Sequence, residues 1–519
     1  MLRSKFYWEV LKAIIGILVV LLLCRLTQGA MSIVMVIVGV VGAIMRKPTI
    51  MVCCLVMFPL MAIFNTALIG LKGITLLVGK FSFVAMVVSS LLSSHGMSFK
   101  PEKLPIKWLF LYVGVACLSS ISGWFPFISY LKLMNFSLML IGLCLISRMM
   151  QVSFSSLHAL RILFMAMSVI LIVGSFVSYF VPSVGFSMML YKYEDYGIIM
   201  TGTELVESGG QVLFNGMTSH SQMLSPVVAC LGTWVLCDML LVERRMEPLH
   251  CLILLCVPSL LYMSRSRGGL LMLACTMLIT CVLTIPRARL PQKVKRHLVF
   301  SMIIIALALA GAGVYFQMKN KAVSRWLRKT DDVARDVRSL REAFTGSRQD
   351  SIAMNLRDFS LNPLFGKGFQ VIQGMRWAYK ARIITWFSAP VEKGVTPYVI
   401  LGETGLLGGL AFLVFLCSFY LTCFRRGYMS LMTNFSCMLV ANLADSTFFS
   451  PSALGGFMWT VSCIGAFSTD CLVKRLQRDS WRCDAGAGDM ALGVESCGGH
   501  KGQGPIPPNW RMETWKNPH

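Results

Sequence analysis

The chain has 519 residues, 56% of them hydrophobic and only 14% charged, with a net charge of +24 and a mean hydropathy of +0.68. Soluble proteins carry about 25% charged residues, so the composition excludes a soluble globular class and implies an all-α, polytopic helical membrane protein. The positive charge falls in short connections, one large polar insert and the tail. In a membrane protein such a bias sets orientation and does not imply nucleic acid. Eighteen cysteines show no CxxC spacing and no clustering with histidine, so neither a disulfide frame nor a zinc site is expected, and they read as small packing residues.

Met1–Cys24 places basic residues before an apolar run, as a signal peptide does, but Glu9 and Lys12 interrupt it and no small-x-small cleavage site follows. It reads as a first transmembrane helix. A bilayer crossing needs about 20 mostly apolar residues. Apolar runs fall roughly at 8–24, 30–45, 49–65, 74–92, 108–122, 130–147, 162–181, 224–241, 250–263, 270–285, 298–316, 398–424, 429–447 and 454–472. About 12–14 transmembrane helices are therefore expected, within a unit covering residues 1–473. With a cytoplasmic N-terminus, Arg46-Lys47, Lys100–Lys107, Arg148 and Arg161, Arg244-Arg245, Arg287–Arg296, Arg425-Arg426 and Lys474–Arg478 all fall inside, as the positive-inside rule requires. Both termini are then cytoplasmic. Ser183–Gln222 and Gln317–Pro397 lie outside. Residues 474–519, rich in Gly and Pro, read as a disordered cytoplasmic tail.

The larger external stretch, Gln317–Pro397, carries fifteen Lys and Arg against seven Asp and Glu. An insert this long in a compact protein is functional or disordered. Its arginine surplus suits an anionic ligand, because the guanidinium fork matches phosphate oxygens. Within it, Thr345-Gly-Ser-Arg-Gln-Asp350 reads as a helix start, with Ser347 as N-cap and Asp350 as its capping-box partner. Ile352, Ala353, Leu356 and Phe359 follow at helical spacing. Arg348 would sit in the first turn, where the helix dipole favours an anion; a solvated surface arginine is the plainer alternative. Asn362-Pro-Leu-Phe-Gly-Lys-Gly368 should then break the helix.

Four further places carry ionisable residues where a bilayer makes them costly. Ser264-Arg-Ser-Arg-Gly-Gly269 joins two spans with almost no loop, and Arg265 and Arg267 either face inward or snorkel to headgroups. Val391-Glu-Lys-Gly-Val-Thr-Pro397 leads back to the membrane, and Glu392 could act as a general base or pair with Lys393. Glu403, in Gly402-Glu-Thr-Gly-Leu-Leu-Gly408, falls inside the next span, and Asp445 inside the one after. The smaller external stretch holds Tyr191-Lys-Tyr-Glu-Asp-Tyr196 and ends in Phe214-Asn-Gly-Met-Thr-Ser-His-Ser-Gln222. His220 there is either an acid/base or an interfacial residue, and the aromatics suit sugar rings or a membrane-interface belt.

From about His220 to Phe424 these segments, in their order and placement, resemble the superfamily of O-antigen ligases and O-antigen or exopolysaccharide polymerases. Gly216–Gln222 is similar to its Gly…His-x-Gln/Asn entry to a span, and Ser266-Arg-Gly-Gly-Leu-Leu271 to its Ser-Arg-Gly span start. Ser347-Arg348 with Asn362–Gly368 resembles its loop helix and Gly-x-Gly turn, and Gly402–Gly408 the stretch that closes the loop. The resemblance implies a GT-C-like glycosyltransferase of the bacterial inner membrane that takes an undecaprenyl-diphosphate-linked oligosaccharide and needs neither nucleotide sugar nor metal. It further implies that Arg267 and Arg348, together with Arg265 and Lys393, hold the diphosphate. Ligases of this family carry a histidine about eight residues before the Gly-Glu-Thr-Gly segment; here that place falls near Gly394. Glu392-Lys-Gly394 is similar to what some polymerases carry, which favours a polymerase with Glu392 as base and His220 and Glu403 as further acid/base candidates. A ligase handing glycan to a lipid core, and a non-enzymatic export protein or flippase, remain the alternatives. Partners would be membrane lipids and polysaccharide chain-length and export proteins.

Overall fold

The computed structural model describes residues 2–27, 30–64, 74–93, 101–181, 189–191, 199–201, 214–218, 221–264, 267–287, 291–293, 295–304, 349–371, 395–444, 447–451 and 453–478. In chain order the helices are α1 (Leu2–Leu26), α2 (Ala30–Ile44), α3 (Pro48–Met61), α4 (Ile74–Ser93), α5 (Leu109–Ile121), α6 (Pro126–Met149), α7 (Phe154–Phe180), α8 (Ser221–Asp238) and α9 (Pro248–Met263). They continue with α10 (Arg267–Ile279), α11 (295–304), α12 (Gln349–Leu361), α13 (Thr396–Arg426), α14 (Met429–Ala444) and α15 (Leu454–Arg478). Each of the fourteen apolar runs overlaps one of these helices within the described residues, the run at 298–316 only as far as residue 304, and α12 is the additional helix expected in the insert. The fold is an all-α, polytopic membrane architecture. Among the described residues, five helices (α6, α7, α8 continued from Met223 to Glu243, α13 and α15) are long and apolar enough to cross a bilayer, and six shorter ones are apolar as well. One small hairpin, not anticipated from the sequence, pairs Met189–Tyr191 antiparallel with Ile199–Thr201.

The sequence starts several of these helices in the same way. Pro48, Pro126, Pro248 and Pro397 occupy first-turn positions, where the missing N–H costs nothing and the fixed φ already suits a helix. Gly427 ends α13 in a left-handed conformation, φ 70°, the usual glycine stop.

Apolar side chains face outward as well as inward. On α13, Phe412, Phe415, Phe419 and Cys423 are buried, while Leu410, Leu413, Leu421 and Phe424 on the opposite face are exposed. Exposed apolar surface on this scale needs lipid against it. The interior is built from small polar residues and aromatics. Buried serines and threonines return their hydroxyls to carbonyls of their own helices, as Thr233 does to Ala229 O at 2.7 Å and Thr433 to Met429 O at 2.9 Å. This lets helices approach closely without an unsatisfied donor. Helices α8 and α15 form the centre, with 89% and 94% of their apolar windows buried, against 33% for α13.

Residues Met1–Val473 form one compact unit and Lys474–His519 a second, of which residues 474–478 are described, as helix. The remainder of the expected tail lies outside the described residues.

Candidate functional site

Helix α12 ends at Leu361 because Pro363 follows and because Asn362 reorganises the chain. Asn362 Oδ1 accepts from Phe365 N at 3.4 Å, and its carbonyl accepts from Gly366 N at 2.8 Å. Gly366 and Gly368 take φ of 70° and 103°, the left-handed region that favours glycine. The turn expected at Asn362–Gly368 is present.

This turn is inserted into a break in α13. Gly405 is non-helical, with φ 64° and ψ −162°, which strands backbone groups on both sides of it. The turn satisfies them: Leu406 N donates to Pro363 O at 2.8 Å and Leu407 N to Leu364 O at 3.3 Å. In return Lys367 N donates to Gly402 O at 3.0 Å and Gly368 N to Glu403 O at 3.0 Å. A break at membrane depth is tolerated only when such partners exist. The two glycines make the approach possible. A Cβ on Gly366 would lie 2.3 Å from the Glu403 carbonyl carbon, and one on Gly405 2.4 Å from that of Leu364. Two segments singled out from the sequence, Asn362–Gly368 and Gly402–Gly408, are thus interlocked backbone to backbone.

Helices α5 and α6 brace the joint. Ser119 Oγ donates to Glu403 O at 2.6 Å, Ser129 Oγ to Phe369 O at 3.0 Å, and Trp124 N to Lys367 O at 3.2 Å. Lys132, 1% exposed, donates from Nζ to Gln370 O at 2.8 Å. Gln370 Nε2 in turn donates to Phe449 O at 2.6 Å. Phe449 stacks on Tyr112 at 4.9 Å, in a layer with Phe136, Phe369 and Phe412 directly beneath the turn. On the turn itself, Lys367 Nζ lies 5.6 Å from the Trp124 ring centroid.

Of the predicted site residues, Glu403 is placed in this joint, 3% exposed, with its carbonyl accepting from both Ser119 and Gly368. Arg267 is the first residue of α10. His220, Arg265, Arg348, Glu392 and Lys393 lie outside the described residues, as do Asp445 and the expected N-cap Ser347. Gly269, two residues after Arg267, packs on the first turns of α8, just beyond the predicted segment Gly216–Gln222: a Cβ there would lie 1.9 Å from Ser225 Oγ. Beside it Gly216, φ 56°, packs on α7, where Met217 N donates to Ser175 Oγ at 2.9 Å. Lys132 was passed over in the sequence, although a lone cation within an apolar run is a sufficient signal.

A separate cluster of buried charge sits where α7, α8 and α9 meet. Arg161 donates from Nε to Asp238 Oδ1 at 2.8 Å and from Nη2 to Asp238 Oδ2 at 2.9 Å, and also contacts Glu243. His250 Nε2 lies 3.0 Å from Asp238 Oδ2. Phe6 of α1 covers the guanidinium at 4.6 Å. The sequence pattern alone places Arg161 only among the basic residues that set orientation. Its bidentate pairing makes this a structural tie between helices, costly to break from one side because the remaining charge would stay buried.

No protein-family model matches this sequence, and comparison with curated proteins finds no match.

Proposed function

We propose that this chain is a membrane glycosyltransferase that polymerises exopolysaccharide or O-antigen repeat units delivered on undecaprenyl diphosphate. The observation that carries the reading is the interlock of Asn362–Gly368 with the broken helix at Gly402–Gly408. It ties a turn within the basic insert to the helix that follows the insert, with Glu403 held inside the joint. Catalysis of this kind needs fixed cations at the departing diphosphate and a base at the acceptor hydroxyl, and preorganised charge is usually the largest contribution. Arg267 and Arg348, together with Arg265 and Lys393, supply the cations in this proposal. Glu392 deprotonates the acceptor sugar, which attacks the anomeric carbon as the lipid diphosphate leaves.

The insert then faces the periplasm, the termini face the cytoplasm, and the protein lies in a bacterial inner membrane beside chain-length and export proteins. The test is elongation by the purified protein in liposomes supplied with lipid-linked repeat units. Polymer longer than one repeat supports the proposal. Transfer only to a lipid-core acceptor would make the protein a ligase, and movement of glycan without bond formation would make it an exporter; either result replaces the proposal.

A further inference from the structure

Helices α1, α2, α3 and α7 leave a cleft of about 280 Å3 between them. Ala13, Gly16 and Val20 of α1 form one wall, Cys54 and Met57 of α3 another, and Ala159 of α7 a third. All the lining residues are apolar or cysteine. The cleft exists because small residues stand where larger ones would close it: a Cβ on Gly16 would meet no atom within 4 Å. Such a slot in a membrane-embedded wall forfeits dispersion contacts unless hydrocarbon fills it.

One end of the cleft is basic. Lys12 adjoins Ala13, and Arg46 and Lys47 lead into α3; all three are exposed. Thr49 Oγ1 meets Ser156 Oγ at 2.9 Å and Ser155 Oγ at 3.3 Å, closing that end between α3 and α7 with hydroxyls. Glu9 faces the same end, but its carboxylate lies 3.0 Å from His158 Nε2. The net charge there favours an anion.

We propose that this cleft holds one acyl chain of an anionic phospholipid, whose phosphate rests against Arg46, Lys47 and the Thr49–Ser155 hydroxyls. The apolar walls match the tail and the basic rim matches the head, since each Lys or Arg at a membrane surface adds measurably to anionic-lipid affinity. The cleft shares no lining residue with the α12–α13 joint and does not depend on the glycan chemistry.

Native mass spectrometry of the full-length protein in detergent, titrated with phosphatidylglycerol or phosphatidylcholine of matched chains, tests this. Wild type should retain phosphatidylglycerol roughly tenfold more tightly. Gly16→Leu, which fills the cleft, should lose retention of both lipids. The double variant Arg46→Gln/Lys47→Gln should bring phosphatidylglycerol down to the phosphatidylcholine level and leave the latter unchanged. Equal retention of the two lipids by wild type, or undiminished retention by Gly16→Leu, overturns the proposal. Melting of each variant in lipid-free detergent, expected to match wild type, separates a lost site from a damaged fold.

Discussion

Asp238 and Glu243 stand five residues apart, yet both carboxylates meet the guanidinium of Arg161. In a regular α-helix each residue advances about 100°, so positions five apart point well away from each other. Here Met239–Glu243 is a π-turn, whose wider i→i+5 closure brings position i+5 back beneath position i. The bulge is thus what lets one helix present two carboxylates to one arginine, while His250 of α9 approaches Asp238 from the other side.

Removing Arg161 should therefore be costly. Arg161→Met leaves Asp238 buried with only His250 beside it, and breaking a buried pair from one side costs about 3–5 kcal/mol. The double variant Arg161→Met/Asp238→Leu should recover at least half of that loss. Thermal unfolding in detergent of both singles and the double, read as a cycle, gives the coupling directly. Additive losses would mean that the pair contributes nothing as a pair.

The glycine joint makes a prediction with an internal control. Gly366→Ala and Gly405→Ala each combine a left-handed φ with a backbone collision, and should cost more than the roughly 1–3 kcal/mol of backbone strain alone. Gly427 has φ 70° as well, but a Cβ there meets nothing within 4 Å. Gly427→Ala should show only the strain, about 1 kcal/mol. Melting temperatures that rank the three alike would show that the interlock carries no stability.

Tyr428, at the α13–α14 connection, donates to Glu102 Oε2 at 2.6 Å. Burial first, and then this hydrogen bond, hold its phenol well above the ordinary tyrosine range. A folded-state pKa above the unfolded one gives stability that is present below about pH 10 and lost as pH rises beyond it. Tyr428→Phe should lower stability at neutral pH and flatten the alkaline fall. Denaturation curves from pH 8 to 11 read both, and an unchanged alkaline slope in the variant assigns the fall to other groups.

For the proposed chemistry, Glu392→Gln keeps size but removes the base, so elongation should fall at least about a hundredfold at normal abundance. Arg348→Ala should abolish polymer, and Arg348→Lys should rescue poorly because an ammonium cannot bind phosphate bidentately. Polymer yield per unit of protein is the measurement. Near-normal turnover by Glu392→Gln would shift the base to His220 or Glu403.

Topology has its own test. Leu361, at the end of α12, and Met246, between α8 and α9, are both exposed. In a background of unreactive native thiols, an impermeant maleimide added outside should reach Leu361→Cys and not Met246→Cys. The reverse result would place the insert in the cytoplasm.

The helices were legible because each apolar run is long and bounded by Lys, Arg, Pro or Gly, signals local to the segment. The turn at Asn362–Gly368 was legible for the same reason. The break at Gly405 was not, since a glycine between Thr404 and Leu406 reads as an ordinary helical residue until Pro363 and Leu364 are known to supply its missing acceptors. The π-turn after Asp238 left no mark in the sequence either, because the pairing it permits is with Arg161, 77 positions away. Local pattern reports the elements. What bends an element is written in the segment that docks on it.

The burial of α15 bears on how the protein is made. Its Asp470 carboxylate caps the start of α14, accepting from Ser430 N at 3.0 Å and Leu431 N at 2.9 Å, and its Trp459 Nε1 donates to Phe448 O at 2.6 Å. Fourteen described helices precede it in the chain, so the ribosome delivers this keystone after them. Until it emerges, the helices that came earlier must wait in the bilayer around an unfilled slot with the amides of Ser430 and Leu431 uncapped. A nascent chain stopped before Leu454 should accordingly be a substrate for membrane quality control, whatever the fate of its earlier helices.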